Sequence, residues 1–524
     1  MTMARHRAGG AGAAAPGQVL KRYRLARDRR AAWEAHWREC YAYVLPNRER
    51  FGHEPVPGEK RSARVFDATA GDAVDQLAAS LLAQLTPPWS RWFGFAPGTE
   101  VAERDRAELS RALDDAAAVL QSHFDRSNFA VEIHQCYLDL VTGGTACLLL
   151  EEGAAGAPSA FRFTAVPLFE AVLDEGPDGR LDTTFRRAEL TREQLRARFP
   201  GVALPEDLER RAADDPTIRF GVVEAVLPER QGYRYLAMLD AGTRDDGDPV
   251  LMAEGRFDLS PFINFRWLKA PGEIYGRSPV MKALPDIKTA NKVVELVLKN
   301  ASIAVTGIWQ ADDDGVLNPA NIKLVPGAII PKAVGSAGLT PLDAPGRFDI
   351  SQLVLDDLRA RIRHALLVDR LGQVAGPRMT ATEVLERAAE MTRTLGATFG
   401  RLQSELLDPL LARAVAILRR RGEIPDLEID GRRVKMQCRS PLARIQAQAE
   451  VQSVMTWLES AAAFGPAAVE TIDVARATVW MAKALGVPAE LVRSDPPAEA
   501  RPTATGDEAA TLAAAVANAG GVGV

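Results

Sequence analysis

The sequence predicts an α+β protein that is predominantly helical. Apolar residues recur at helical period in three long stretches between Met281 and Arg421, and again twice after Ser440. Between Ala146 and Trp267, short runs rich in β-branched and aromatic residues alternate with turn residues, as strands do. A length of 524 residues gives ample chain for a core and about three or four domains.

Composition narrows the function classes. An apolar content of 47% with 25% charged residues is ordinary for a globular protein, and a formal net charge of −5 argues against binding polyanions over the whole surface. Cys40, Cys136, Cys147 and Cys438 lie far apart without zinc spacing, which predicts buried free thiols in a reducing compartment. No uninterrupted apolar run is long enough to span a bilayer. The opening Met1 to Ala15 is basic, then Ala- and Gly-rich, and reads as a tail, not a signal peptide.

In chain order, Gln18 to Leu45 predicts a helix rich in Lys and Arg, with Trp33, Trp37, Tyr41 and Val44 on one face. A scaffold helix with a solvated outer face is favoured over one that touches nucleic acid or membrane. Val74, Leu77, Leu81 and Leu85 line a second helix closed by Thr86-Pro87-Pro88. The crowded Trp89, Trp92, Phe93 and Phe95 predict a core or subunit contact in preference to a ligand platform. Helices are expected at Ala102 to Phe124 and Phe129 to Val141, the latter stopped by Gly143-Gly144. Strands follow at Ala146 to Leu150, Phe161 to Val166, Ala171 to Asp174, Leu181 to Ala188, Phe220 to Leu227, Tyr233 to Leu239 and Phe262 to Trp267. Asp178-Gly179 marks a hairpin turn, and Thr191 with Gln194 a capping box.

The stretch from Leu268 to Gly422 carries the clearest pattern. Turn residues Gly272 to Pro279 precede a helix from near Met281, on which Lys288, Lys292, Glu295 and Lys299 form a charged stripe beside Val293, Val294, Leu296, Val297 and Leu298. After an insert of Pro, Gly and short apolar runs, Leu355, Leu358, Ile362 and Leu366 mark a paired helix. A non-helical loop, Gly372 to Pro377, leads to a long helix capped by Thr380 and Glu383, with Val384, Ala388, Met391, Leu395, Phe399, Leu402 and Leu406 in its stripe. Pro409 should kink this helix without ending it, and Arg419 to Arg421 before Gly422 should stop it. About forty residues of helix would span roughly 60 Å, the length of a strut in an assembly. A strand at Arg433 to Cys438 and helices at Ala443 to Ala463 and Pro466 to Leu485 complete the ordered part; beyond Asp495 the composition predicts disorder.

Catalytic signatures are missing. The sequence holds no phosphate-binding loop, dinucleotide fingerprint, zinc-protease helix or nucleophile elbow. Six histidines are scattered; His134 and Cys136, two apart on a helix, would face different ways. Asp312-Asp313-Asp314-Gly315 lacks the alternation and distal Glu of a calcium loop. No catalytic residue, metal or cofactor is expected.

Read together, Phe66-Asp67-Ala68-Thr69, Leu85-Thr86-Pro87-Pro88, Arg91-Trp92-Phe93, Ser127-Asn128-Phe129, Gly143-Gly144-Thr145, Trp267, Gly272 to Pro279, Met379 to Val384, Arg401 to Leu407 and Ser440-Pro441-Leu442-Ala443 resemble, in order and spacing, the portal or head-to-tail connector proteins of short-tailed bacteriophages. The resemblance runs from about Val19 to Asp495. It implies a portal fold of wing, stem, clip and crown, assembled as a ring of usually twelve copies around a DNA channel at one capsid vertex. Carried over, residues 1–17 are a tail, 18–280 a mixed α+β wing or body, 281–306 the first stem helix, 307–350 the clip, 351–369 the second stem helix, 370–378 the channel loop, 379–422 the long wing helix, 423–495 the crown and 496–524 a tail, with no long coiled barrel. Implied partners are copies of itself, the terminase large subunit, tail adaptor proteins, capsid and scaffold proteins and double-stranded DNA, with no membrane; the implied location is the virion, after assembly in the host bacterial cytoplasm. Lys288, Lys292 and Lys299, or a subset, would line the channel, with Gln373 and Val374 at its narrowest point; Trp309, Asp312, Asp313 and Asp314 would lie on the partner-binding clip. The lysines could equally form salt bridges between subunits. A ring adaptor or tail protein without motor contact, or a helical multidomain enzyme, are the competing readings.

Overall fold

The computed structural model describes residues 15–51, 58–97, 106–202, 204–240, 249–306, 309–311, 339–341, 348–368, 396, 398–425, 434–438, 441–465, 472–485 and 487. They fall into two compact units, one drawn from Met1–Trp92 and Ala118–Asp426, the other from Phe93–Ala117 and Leu427–Val524.

In the first unit, α1 (Pro16–Val44) and α2 (Thr69–Leu85) come before everything else. The second unit then contributes β1 (Phe93–Pro97). Next come α3 (Arg106–Asp125), α4 (Phe129–Gly143) and the strands β2 (Thr145–Glu152), β3 (Phe161–Val166), β4 (Ala171–Asp174) and β5 (Thr183–Thr191). The short helices α5 (Arg192–Arg198) and α6 (Glu206–Asp214) lead to β6 (Arg219–Pro228), β7 (Tyr233–Asp240), β8 (Leu251–Phe257) and β9 (Phe262–Arg266).

β4 to β8 form a five-stranded antiparallel sheet in sequential order. The predicted Asp178-Gly179 turn joins β4 to β5, with Gly179 at φ 75° and its N–H on Gly176 O. One face of α1 (Val19, Leu20, Tyr23, Ala26) seals this sheet against Val172, Phe185, Val223, Ala225, Leu236 and Met238. This is the scaffold reading of α1. Edge strand β8, with a bulge at Ala237/Met238 of its neighbour, was not predicted, because Met252 alone is buried along it and Gly255 interrupts its pattern. α6 was also not predicted; α5 carries the expected Thr191–Gln194 capping box.

β3, β2 and β9 form a second antiparallel sheet, against which α4 packs. Trp92, Phe124, Phe129, Phe161 and Phe163 meet on it, with ring centroids 4.9 Å apart for Phe124–Phe129 and 5.0 Å for Phe129–Phe163. Trp89, expected in a core or subunit contact, is 72% exposed on the turn after Pro88 and so is not part of this core.

The remaining helices of this unit are α7 (Pro279–Thr306), α8 (Phe348–Ala365) and α9 (Asp408–Arg420), with a small β10/β11 pair, Trp309–Ala311 against Leu339–Pro341. α7 starts two residues earlier than expected. Ser278 Oγ accepts the Met281 N–H at 2.9 Å and donates to Thr142 O at 2.9 Å, and Pro279 occupies the first helical position. The predicted long helix beginning at Thr380 lies mostly outside the described residues. Its described part is not uniform α-helix: a π-turn, Gln403–Leu407, directly precedes Asp408-Pro409. A wide turn accommodates the proline ring, which would clash with the carbonyl four residues back, so the helix continues to Gly422 at φ 74°.

In the second unit, β1 pairs antiparallel with β12 (Val434–Cys438), Phe93 opposite Cys438 and Pro97 opposite Val434. α10 (Pro441–Ala463) packs on α11 (Val474–Leu485). Of the helix predicted over Pro466 to Leu485, residues 466–471 lie outside the described residues, and Asp473 caps Val474–Leu485 by accepting the Arg476 N–H at 2.9 Å. Residues 496–524, expected to be disordered, lie outside the described residues.

Three joints fix α7 and α8 to the body. At the first, Gly144, at φ 78°, and Gly276 bring their backbones together: a Cβ on either would lie 2.2 Å from the other's carbonyl oxygen. The Gly276 N–H reaches Thr145 Oγ1 at 2.8 Å, and Tyr275, edge-on to Trp37 at 5.0 Å, accepts the Leu173 N–H. At the second, the fully buried Arg266 donates to Glu405 of the π-turn at 2.7 Å, to Glu175 at 3.0 Å and to Ile274 O and Gly179 O at 3.1 Å. Burial opposes its charge, but the two carboxylates outweigh burial and raise the guanidinium. The third joint lies at Asp67, whose Oδ1 accepts the Thr69 N–H at 2.9 Å and whose Oδ2 accepts from Arg359 of α8 at 2.9 Å. Asn291 of α7 accepts the Phe66 and Asp67 N–H groups at 2.6 and 3.2 Å and donates to Arg64 O at 2.9 Å.

The glycine joint should be the less forgiving. Gly276→Ala should cost about 3 kcal/mol or prevent folding, because backbone must move. Gly272→Ala, at φ 78° with open space around it, should cost only about 1 kcal/mol. Thermal melts of the two variants give the order, and equal losses would remove the close-approach argument.

Asp67 supplies a pH-dependent test. Burial alone would raise its carboxyl, but hydrogen bonds from Thr69 and Arg359 hold it below the ordinary range. Its contribution is therefore complete above its unfolded pKa of about 3.9 and is lost as pH falls through the lower folded value. Asp67→Asn should cost about 2 kcal/mol in urea melts at neutral pH, the gap narrowing as pH drops below about 4. A gap that stays constant down to acid pH would assign the loss to packing instead of charge.

Candidate functional site

α7 and α8 pack side by side as an antiparallel pair, cross-linked where Arg361 meets Asp286 at 2.9 Å. From α7 the buried apolar residues are Val280, Met281, Ala283, Leu284, Ile287 and Ala290; from α8 they are Leu355, Leu358, Ile362 and Leu366, the four predicted from period. On α7, burial ends at Asn291 although the apolar sequence continues.

The charged stripe exists as predicted. Lys288, Lys292, Glu295 and Lys299 fall within about 60° of helix circumference. All three lysine side chains are exposed, and each already has a carboxylate within this chain. Lys288 pairs with Glu39 of α1, and that hydrogen bond raises its ammonium. Lys292 and Lys299 share Glu295 at 3.0 and 2.6 Å, and their hydrogen bonds, that of Lys299 foremost, lower the carboxyl. Sequence reasoning missed Glu39, which lies 249 positions from Lys288 and carries no local signal. It also missed the bracing residues Asn291, Arg359, Asp286 and Arg361; a polar Asn in an otherwise apolar helical run was the only hint.

Such a row offers a passing phosphate exchangeable contacts. Each ammonium is solvated and paired, Lys288 with its own carboxylate and Lys292 and Lys299 with one between them, so a polyanion competes with a carboxylate to bind. The other predicted site residues are not brought to this row by the described structure. Trp309 opens β10 opposite Pro341, while Asp312, Asp313, Asp314, Gln373 and Val374 lie outside the described residues.

Among the described residues no group of three His, Cys, Asp or Glu side chains could hold a metal ion, and no helix is long and apolar enough to cross a membrane. Cys40, Cys136 and Cys147 are buried free thiols, and burial pushes Cys40 up to about 12. A small polar cavity of about 130 Å³ lies between α2 and α8, lined by Thr69, Asp72, Ala73, Gln76, Arg363 and Val368.

Over residues 17–492 the chain matches the family described as bacteriophage head to tail connecting protein. The probable portal protein of Bordetella phage BPP-1 is 26% identical over 497 residues, covering 90% of this chain and 88% of its own length. The portal protein of Enterobacteria phage T3 is 24% identical over 421 residues (77% and 74%), and that of Salmonella phage epsilon15 is 24% identical over 503 residues (90% and 87%). Among solved structures, a chain from the virion of a native gene transfer agent particle aligns with a TM-score of 0.36 at 12% identity, covering 79% of this chain and 92% of that one, a likeness too loose for any comparison of fold. The match over nearly the whole chain shows that it belongs to the bacteriophage head-to-tail connecting protein family.

Proposed function

We propose that this chain is the portal subunit of a phage particle. Copies of it, twelve by the family's habit, form a ring at one capsid vertex that conducts double-stranded DNA during packaging and ejection and docks terminase and tail proteins. The observation that carries the reading is the family match over residues 17–492. The braced α7/α8 pair, with residues 307–347 between its helices, supports it by supplying a stem and an insert at its far end.

In this reading the ring is a conduit and does no chemistry. The sequence has no phosphate-binding loop, so the energy for DNA movement comes from a partner's ATP hydrolysis. Lys288, Lys292 and Lys299, or a subset, face the channel and make weak, sliding phosphate contacts. Tight phosphate binding would stall the duplex, since each neutralised phosphate adds counterion-release affinity. Lysines already shared with Glu39 and Glu295 avoid that trap. Gln373 and Val374 form the constriction, and the insert, with Trp309, Asp312, Asp313 and Asp314, meets the terminase and later the tail.

Two outcomes are expected. Purified wild-type protein and a variant lacking Gly307 to Arg347 should both show ring particles with a central hole in negative stain, while only the wild type supports packaging. A compact, solitary chain at high concentration would overturn the proposal. Replacing Lys288 and Lys299 together by Glu should shorten the packaged genome; full-length packaging would reject the channel role.

A further inference from the structure

The far half of the α7/α8 pair exposes apolar side chains on both helices. On α7, Leu296 and Leu298 are 48% and 54% exposed; on α8, Leu353 and Val354 are 75% and 45% exposed. Leu296 and Leu298 lie about 160° apart around α7, one on each side of the lysine stripe. A single partner helix on one face covers one of them and leaves the other bare. The surface therefore calls for a neighbour on both flanks.

Charge identifies the neighbour. Lys292 lies four residues before Leu296, on the same face of α7, and Asp357 lies four residues after Leu353 on the same face of α8. One helix thus carries an apolar residue with a cation and the other an apolar residue with an anion. Lys292 shares Glu295 with Lys299, two cations on one carboxylate. Asp357 stands 4.0 Å from Arg361, whose guanidinium is held closer, at 2.9 Å, by Asp286.

The heights agree as well. Counting from the Asp286–Arg361 contact towards the far end, Lys292 lies about 9 Å along α7 and Asp357 about 6 Å along α8; Leu296 and Leu353 lie at about 15 and 12 Å. Both pairs are offset by the same ~3 Å, so a single small shift of one copy along its neighbour aligns them together.

We infer that the Lys292/Leu296 face of α7 is the docking site for the Leu353/Asp357 face of α8 in a second copy of this chain. Because the two faces differ, each copy gives one and receives the other, a head-to-tail contact that becomes a ring when its rotation closes. Leu353 packs on Leu296, and the Asp357 carboxylate accepts from the Lys292 ammonium, fixing register more than affinity. This rests on the ring reading above and assigns its contact. Lys292 then belongs to the subunit boundary, which leaves Lys288 and Lys299 to the lumen.

The test uses the full chain. Leu296→Cys protein carrying one affinity tag and Leu353→Cys protein carrying another are mixed, assembled and oxidised. A disulfide-linked heterodimer bearing both tags is expected, and neither variant alone should cross-link. Charge reversal provides the second arm: Lys292→Glu or Asp357→Lys alone should lower the ring fraction about tenfold, and the two together in one chain should restore it. Both positions are exposed, so unchanged melting temperatures should confirm that the monomer folds. If wild type forms no rings, the function proposed above fails. If wild type forms rings but no mixed-tag disulfide appears, or the cysteine variants link only to their own chain, this contact is wrong while the ring stands. Swapped charges that fail to restore rings would overturn the Lys292–Asp357 pairing.

Discussion

Two backbones touching at Gly144 and Gly276 set the geometry on which the α7/α8 pair depends. The contact occurs where α4 stops and β2 begins, and three residues later Pro279 starts α7. With no Cβ on either side, Gly276 can place its N–H on Thr145 Oγ1, and Ser278 can reach Thr142 O. The direction in which α7 leaves the body is therefore fixed by main-chain contact, which tolerates far less variation than side-chain packing. Arg266 reinforces the same corner by joining the Ile274 and Gly179 carbonyls to Glu405, so the turn before α7 and the π-turn before α9 share one buried cation. Losing either carboxylate would leave that cation under-compensated in a desolvated site.

Elements whose cause is local were legible in the sequence. The core face of α1, the stripe of α2, the Thr191 capping box, the Asp178-Gly179 turn and the strands other than β1, β8, β10 and β11 follow from periodicity and turn chemistry within a few residues. What escaped depends on distant partners. β8 reads as polar because it is an edge, and its pairing with β7 comes from the sheet. The π-turn answers Pro409, which by itself predicts only a bend. The stripe of lysines was readable, whereas the clamp of Phe66-Asp67 on Asn291 and Arg359 joins positions 224 to 292 residues apart. The motif around Asp67 was noticed for its family resemblance, and the structure supplies its physical role.

Charge is used differently in the body and in the helix pair. In the body, several arginines are sequestered: Arg30 donates to the Leu168, Phe169 and Ala171 carbonyls, and Arg413 to Leu150 and Leu259, so these cations act as staples between elements. On the outer face of α7 the cations are lysines, exposed and shared with carboxylates. Compact, strongly hydrated ammonium groups exchange partners more readily than guanidinium forks do, which fits the sliding phosphate contacts proposed for this row. A chain of net charge −5 can thus carry a cationic row without becoming a general DNA-binding protein.

Pro285 sits inside α7, about a turn and a half beyond the anchored corner. It contributes no N–H, so the ladder of the helix lacks one rung between the end fixed by Gly276 and Ser278 and the long shaft bearing the lysines. Beyond that gap Arg361 holds Asp286 and the Arg64–Asp67 segment holds Asn291, so the missing rung lies between two fixed points and a lateral load on the tip is taken up at Asn291 first. The helix is in effect a rod seated at two points along its root, its one weak rung enclosed between them and its overhang starting only past the second.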